Sequence, residues 1–212
     1  MNIFHRIGLL GLIALTALAT AAMAATAAQA GTFTAGAYPA TITGSAVGVH
    51  LLTTERGAME CAPSFDGELA AASEELTVTP NFGTCKLGAN AVNVKNNGCD
   101  FRLHAGLTST LVEDLVSGTM DVVCPQGSAM DFEITSTLIC HLTIPAQLGL
   151  GTLTFTNRTA AKDVDANFSI GGLKYTLDAG CPGAGNYTNG TYGGTSTLKA
   201  DHGGVGTSFA VE

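Results

Sequence analysis

The stretch Met130–Pro145 constrains the fold of this chain more than any other. Its even positions are mostly apolar, whereas its odd positions, from Asp131 to Thr143, are mostly polar. Alternation with a period of two places one face of a β-strand in a core and the other face in water. The run is too long for one ordinary strand, so it predicts two strands with a bend near Ser136-Thr137.

Similar alternation recurs along residues 31–212 and predicts about twelve short strands separated by frequent turns. Only 12% of the residues are charged and 27 are glycine, a composition typical of strands and turns and not of helices. We therefore predict an all-β fold, namely a disulfide-stapled antiparallel β-sandwich. Residues 31–212 are predicted to form a single domain; two subdomains divided near residues 105–118 are the alternative.

The dipeptide Asn97-Gly98 predicts a tight hairpin, because both residues tolerate the positive φ angles of a type I′ turn. A two-residue loop here would pair Val94 with Phe101 and place every apolar side chain of both strands on one face. Lys95 would then lie opposite Asp100, which is a favourable cross-strand pair.

The segment Pro125-Gln126-Gly127 predicts a second hairpin, with a three-residue loop. A two-residue loop would set the apolar face of one strand against the polar face of the next, whereas a three-residue loop pairs Met120 with Phe132 and Val122 with Met130.

Glycine-containing segments elsewhere predict turns and loops. Turns are expected at Gly44-Ser45, between strands 38–43 and 47–53, and at Gly171-Gly172. Loops are expected at Gln147–Gly151 and Asp178–Gly194, and the segment Thr108–Val116 fits either a short helix or a strand.

Residues 1–30 predict a secretion signal. Arg6 provides a positive start, an apolar stretch follows, and small-residue cleavage motifs end at Ala24 and Ala30. We expect cleavage after Ala30, and the alternative is an uncleaved membrane anchor. No other membrane association is expected.

The six cysteines all lie after residue 30, and in an exported chain an even number predicts disulfides. They are Cys61, Cys85, Cys99, Cys124, Cys140 and Cys181. Six cysteines can pair in fifteen ways. We predict the sequential pairing Cys61–Cys85, Cys99–Cys124 and Cys140–Cys181, because each bond would staple a local group of strands.

The charge of the chain excludes some partners. The formal net charge is −8, and it becomes −9 when Arg6 leaves with the signal. An acidic surface argues against nucleic acid and anionic membranes as partners.

One candidate metal site follows from the second predicted hairpin. That pairing sets Asp121 directly opposite Asp131 on the polar face, with Glu133 two residues further on. Like charges in this position are unfavourable unless a cation neutralises them. Calcium takes carboxylate oxygens as ligands, so these three residues are the candidate calcium site, against the alternative of separately solvated carboxylates.

No catalytic or other cofactor site is predicted. The histidines lack metal-binding spacing, and each is expected on the surface or in a turn. No serine lies in a nucleophile elbow, although a triad dispersed along the chain would leave no sequence signature.

Four short segments resemble a group of secreted β proteins of high-GC Gram-positive bacteria. They are Tyr38–Gly44, Cys140–Pro145, Gly172–Tyr175 and Cys181–Gly183. The resemblance implies secretion, disulfides and β architecture, and it implies no particular activity.

The function expected from the sequence is therefore non-enzymatic. We expect a secreted or cell-surface β-sandwich that binds a cell-envelope or extracellular ligand or serves as a structural element. The alternatives are a secreted hydrolase whose site is built from loops and a calcium-dependent adhesive module.

Overall fold

The computed structural model describes residues 30–109, 114–135 and 139–212 of the chain. These residues form sixteen β-strands and no helix, which confirms the all-β class. The strands are β1 (Phe33–Ala35), β2 (Ala40–Thr54), β3 (Gly57–Cys61), β4 (Ser64–Leu69), β5 (Glu75–Asn81), β6 (Cys85–Leu87), β7 (Asn90–Lys95), β8 (Asp100–Thr108), β9 (Leu115–Val123), β10 (Ala129–Thr135), β11 (Ile139–Pro145), β12 (Gln147–Arg158), β13 (Asp163–Leu177), β14 (Gly185–His202), β15 (Val205–Thr207) and β16 (Phe209–Val211).

The strand pairings are antiparallel and close on themselves twice. Ring 1 follows the order β2, β3, β6, β7, β10, β11, β13, β14 and back to β2. Ring 2 follows the order β2, β4, β5, β8, β9, β12, β13, β14 and back to β2. Within each ring, backbone hydrogen bonds join every strand to the next, so the sheet of the predicted sandwich has no open edge there. Strands β1 and β16 form a separate pair that joins the two ends of the described chain.

Three long strands, β2, β13 and β14, belong to both rings. In these strands and in β12, several turn and loop predictions were wrong. Gly44-Ser45 lies inside β2, and Gly171-Gly172 lies inside β13. The predicted loop 147–151 opens β12, and most of the predicted loop 178–194 belongs to β14. Register shifts occur where glycines interrupt these strands. The glycines at these shifts lie at β-bulges, which bend a strand without reversing it, whereas Gly44 pairs in unbroken register with Phe65 and Leu198.

The alternation in Met130–Pro145 is confirmed. Strands β10 and β11 pair with each other, and their even-numbered side chains, such as Phe132 and Leu142, are fully buried. The bend predicted near Ser136-Thr137 lies outside the described residues. In the ambiguous segment 108–116, β8 ends at Thr108 and β9 begins at Leu115, while residues 110–113 lie outside the described ranges. The buried apolar side chains of both rings form one contiguous cluster.

The two predicted turns form, but the hairpins predicted from them do not. Asn97 and Gly98 have φ angles of 51° and 77°, and the Ser128 amide closes the second turn on the Pro125 carbonyl at 2.9 Å. However, β7 pairs with β6 and β10, whereas β8 pairs with β5 and β9. The first turn therefore carries the chain from ring 1 to ring 2, and the second carries it back.

These two crossings lie side by side and are joined covalently. The disulfide Cys99–Cys124 links the end of the first turn to the start of the second. The side-chain amide of Asn97 donates to the Ala129 carbonyl at 2.9 Å, which adds a second link. The other disulfides, Cys61–Cys85 and Cys140–Cys181, confirm the rest of the predicted pairing.

Matched glycine substitutions in the two crossings test their packing. Gly98 and Gly127 both have φ near +78°, so alanine at either position should cost about 1 kcal/mol in backbone strain. A Cβ at Gly98 would also lie 3.1 Å from Pro125 Cγ, whereas a Cβ at Gly127 meets nothing. We expect Gly98→Ala to lower the free energy of unfolding more than Gly127→Ala in urea denaturation. Equal losses of unfolding free energy would mean that a side chain at position 98 does not clash with Pro125.

Candidate functional site

Asp121 and Asp131 are not opposite each other, because the hairpin that paired them does not form. Asp121 lies on β9, opposite Arg102 of β8. Its carboxylate accepts hydrogen bonds from the Gly149 amide at 2.7 Å and from His104 Nε2 at 2.9 Å. Burial alone would raise the pKa of Asp121, but these donors outweigh burial and hold its pKa below the ordinary value. The Asp121 carboxylate, on ring 2, therefore already has hydrogen-bond donors within the protein.

Asp131 and Glu133 lie on β10, in ring 1. Asp131 accepts from His141 Nδ1 at 3.0 Å, and Glu133 lies 3.5 Å from Lys95 Nζ. Lys95 is thus paired with β10 and not with Asp100, whose carboxylate accepts instead from the Thr79 hydroxyl at 2.7 Å. The geometric argument for a calcium site at Asp121, Asp131 and Glu133 is lost, because the three residues are divided between two rings. The site itself stays a prediction, which a thermal melt with chelator and with added Ca²⁺ would check.

One other group of side chains brings metal-ligating atoms together. Among the described residues, Cys140, Asp178 and Cys181 are the only group of three or more whose metal-ligating atoms all lie within 4.8 Å of one another. The two cysteines are joined in a disulfide, so neither offers the thiolate that binds a metal. Asp178 has a structural role here, since its carboxylate accepts from the backbone amides of His141 and Gly180.

His50 is fully buried, so the prediction that every histidine lies on the surface or in a turn was wrong. Its Nδ1 lies 2.7 Å from the Tyr192 hydroxyl, and its Nε2 lies 3.1 Å from the Thr195 carbonyl and 3.0 Å from Ser196 Oγ. The imidazole also packs against Phe65 and Phe168. A bulge makes room for it, because a Cβ at Gly194 would lie 2.4 Å from its Cγ atom.

The tautomer of His50 follows from these partners and excludes a catalytic role for Ser196. A carbonyl oxygen can only accept, so Nε2 carries the proton and donates to Thr195. Nδ1 then accepts from the Tyr192 hydroxyl. Because Nε2 is already protonated, it cannot take the proton of Ser196, as a general base for a serine nucleophile must. Burial lowers the pKa of His50 and keeps the imidazole neutral.

Two partly buried histidines, His104 and His141, differ in how their nitrogens are used. His104 faces carboxylates with both nitrogens, since Nε2 contacts Asp121 and Nδ1 lies 3.4 Å from Glu75. His141 uses only Nδ1, which contacts both oxygens of Asp131 at 3.0 and 3.2 Å. No described residue hydrogen-bonds to His141 Nε2. The Asp131–His141 pair lines an open groove together with Asn97, Ser128 and Thr143.

One enclosed cavity among the described residues is too small for a ligand. The cavity between the two rings measures about 20 Å³ and is lined by side chains such as Phe101, Met120 and Phe132. That volume is close to the size of one water molecule, and the lining surface is apolar. This cavity therefore offers no ligand site.

Sequence reasoning missed both histidine arrangements because each depends on which strands pair. His50 lies more than 140 residues from Tyr192 and Ser196 along the chain, so only the pairing of β2 with β14 brings them together. His141 and Asp131 are closer, and the β10–β11 pairing contains the signal that could have revealed them: Asp131 pairs with Thr143, two residues from His141.

Comparison with known protein families, curated proteins and solved structures found no match. No helix in the described ranges has the length and hydropathy to cross a membrane. The three disulfides are typical of an oxidising, extracytoplasmic environment.

Buried neutral His50 predicts a specific pH dependence. Its pKa is lowered in the folded protein, so the unfolded chain takes up a proton below about pH 6.5 before the folded protein does. The free energy of unfolding should therefore fall as pH decreases through this value, with a slope of at most about 1.4 kcal/mol per pH unit.

A comparison with His50→Gln isolates this contribution. Urea denaturation across the pH range gives the free energy of unfolding of both proteins, and other titrating groups cancel in the difference. The advantage of the wild type should shrink as the pH drops below 6.5. A difference that stays constant with pH would contradict the assignment of a buried neutral imidazole.

Proposed function

We propose that this chain is an exported, non-enzymatic β-sandwich protein. It acts at the cell surface or outside the cell, by binding an envelope or extracellular ligand or as a structural element. The three disulfides, the secretion signal read from residues 1–30 and the resemblance to secreted β proteins of high-GC Gram-positive bacteria support export. Residues 1–29 lie outside the described part of the structure, so the signal rests on the sequence.

The observation that carries the proposal is the closed and filled interior. Both rings return to β2, β13 and β14, and the cavity between them holds about 20 Å³. Small-molecule sites in proteins are usually clefts of about 300–1,000 Å³ that cover most of the ligand. A body of this kind meets its partners across its outer surface.

The rigidity of that surface supports binding or scaffolding. Disulfides clamp both rings, and the loop before β14 is held by Cys181 and by Asp178, whose backbone amide donates to the His141 carbonyl at 3.1 Å. A preorganised surface loses little conformational entropy when it binds. The net charge of −9 after signal removal favours partners other than nucleic acid or anionic membrane.

Export can be tested on the full chain. Expressed with a C-terminal tag in a high-GC Gram-positive host, the protein should be recovered from the envelope or the medium, with Gly31 as its first residue and no free thiol. A cytoplasmic protein that retains residues 1–30 would contradict the proposal. Deletion of residues 7–19 is the matched control and should keep the protein inside the cell.

Binding can be tested on the mature protein, residues 31–212. Immobilised protein should retain one class of purified envelope polymer or matrix component, and reduced and alkylated protein should not. Lack of retention together with turnover in an activity screen would reverse the order of the two candidate functions.

A second candidate function, a hydrolase, is favoured by the Asp131–His141 pair. Asp131 orients His141 through Nδ1, no described residue hydrogen-bonds to Nε2, and His141 lines an open groove together with Ser128 and Thr143. In ester hydrolysis, Nε2 would take a proton from water as the water oxygen attacks the carbonyl carbon. It would then return that proton to the departing alkoxide.

Substitution of His141 tests this candidate. If the mature protein hydrolyses any of a panel of simple esters, His141→Gln should lower the rate by about 100-fold or more, because general-base catalysis contributes at least that much. His202→Gln is the control, since His202 is exposed and its Nδ1 lies 2.8 Å from the Pro39 carbonyl oxygen. Absence of turnover in the wild type, or equal rates in both variants, would reject the hydrolase.

A further inference from the structure

The residues that follow the expected signal-cleavage site are held in place by the folded body. We call Gly31–Ala35, which includes strand β1, the N-terminal strap. The Gly31 amide donates to the Gly106 carbonyl at 2.5 Å, and the Thr32 amide donates to the Glu212 carbonyl at 2.6 Å. Gly106 lies on β8 and Glu212 follows β16, so two different elements hold the first two residues of the strap.

Phe33 anchors the strap in the core. It is fully buried, and its ring meets Phe155 of β12 edge-on with centroids 5.2 Å apart and stacks on Phe209 of β16 with centroids 6.3 Å apart. The Phe33 amide donates to the Ser73 carbonyl at 2.7 Å, and Phe33 pairs with Val211 of β16. The strap is therefore fixed both through its backbone and through a buried aromatic side chain.

The Ala30–Gly31 peptide bond is poorly accessible in this arrangement. Ala30 is only partly buried, but Gly31 is buried. A Cβ at position 31 would lie 2.7 Å from the Gly106 carbonyl oxygen and 3.0 Å from the Glu212 carbonyl oxygen. Proteases cut preferentially at exposed segments, and the burial and hydrogen bonding of the backbone decide whether a bond can be reached. The folded body thus encloses one side of the bond that signal removal must break.

Signal removal is the hydrolysis of this bond by a peptidase. A water molecule adds across it, so that Ala30 keeps the new carboxylate and Gly31 keeps the new amine. A folded protein offers a paired segment to a protease only through local opening. Opening here means that the strap loses its backbone hydrogen bonds and that Phe33 leaves the core.

We propose that the signal is removed before the strap docks, and that the docked strap protects the Ala30–Gly31 bond from hydrolysis. The order is built into the fold, because neither ring contains β1 and the ring strands pair with one another without it. A precursor that closes β1 onto β16 first is a poor substrate for the peptidase. The inference rests on the proposed export and on cleavage after Ala30.

The test compares folded and unfolded precursor, residues 1–212, as substrates of a purified signal peptidase in detergent. The folded precursor is oxidised and has no free thiol, and the unfolded precursor is reduced and alkylated. Mass spectrometry of the larger product identifies the bond that is cut. We expect cleavage after Ala30 in the unfolded precursor and cleavage slower by about tenfold or more in the folded one, because only the small population with an open strap reacts.

Substitutions separate docking of the strap from folding of the body. Phe33→Ala should raise the cleavage rate of the folded precursor by about tenfold or more, since loss of a buried ring favours the open strap. Gly31→Ala should act in the same direction, because its Cβ would press on backbone atoms. The unfolded form of each variant corrects for altered recognition by the peptidase. Phe82→Ala is the matched control: Phe82 is also buried, but it packs between the rings against Phe101 and Phe132, so this folded precursor should stay resistant.

The outcomes distinguish this inference from the proposed export. Equal cleavage rates after Ala30 in folded and unfolded wild type would overturn the inference and leave export standing. Equal gains from Phe33→Ala and Phe82→Ala would also overturn it, since cleavage would then require unfolding of the whole body. An unfolded precursor that is not cut after Ala30 would contradict the cleavage site itself, and the inference would fall with it.

Discussion

The hydrogen bonding of β2, β14 and β13 to one another is the constraint on which the rest of this structure depends. Every backbone amide and carbonyl in a core needs a partner, and a sheet with open edges leaves a row of them unmet. Both rings of strands satisfy this requirement by returning to the same three strands. Each of these strands must therefore serve two differently oriented sets of neighbours. The register shifts around Gly48, Gly171-Gly172 and Gly194 allow this, because a bulge bends a strand while pairing continues on either side.

The crossings between the rings show how covalent and steric constraints reinforce that arrangement. Asn97-Gly98 takes the chain out of ring 1, and residues 125–127 bring it back. Cys99–Cys124 binds the two crossings together, in the entropic account by restricting the unfolded chain. The rings share a core in which Phe82, in the connection between β5 and β6, contacts Phe132 of ring 1 and Phe101 of ring 2, with ring centroids 5.3 and 6.2 Å apart. The same closeness leaves a cavity of only about 20 Å³.

A closed interior determines where chemistry can occur. His50 shows the consequence for a buried ionisable group. Its Nε2 donates to the Thr195 carbonyl and its Nδ1 accepts from the Tyr192 hydroxyl, so both ring nitrogens are already hydrogen-bonded. The outer faces differ in the side chains that they carry. The face of β10 and β11 carries the Asp131–His141 pair, whereas the face of β2 and β14 is uncharged and aliphatic around Val49.

The sequence by itself determined the class of fold, the buried face of most strands and the two tight turns. These follow from local rules, since alternation sets the face of a strand and Asn97-Gly98 sets its own φ angles. Tertiary structure alone decided which strands pair. Val94 is directed toward the core whether its partner is Phe101, as predicted, or Phe132, as observed, so the parity of side chains could not distinguish a hairpin from a crossing. The candidate calcium site depended on that choice, and so its geometric basis was lost with the pairing. His50, Tyr192 and Ser196 meet only because β2 lies beside β14, and contacts over such separations leave no periodic signal in a sequence.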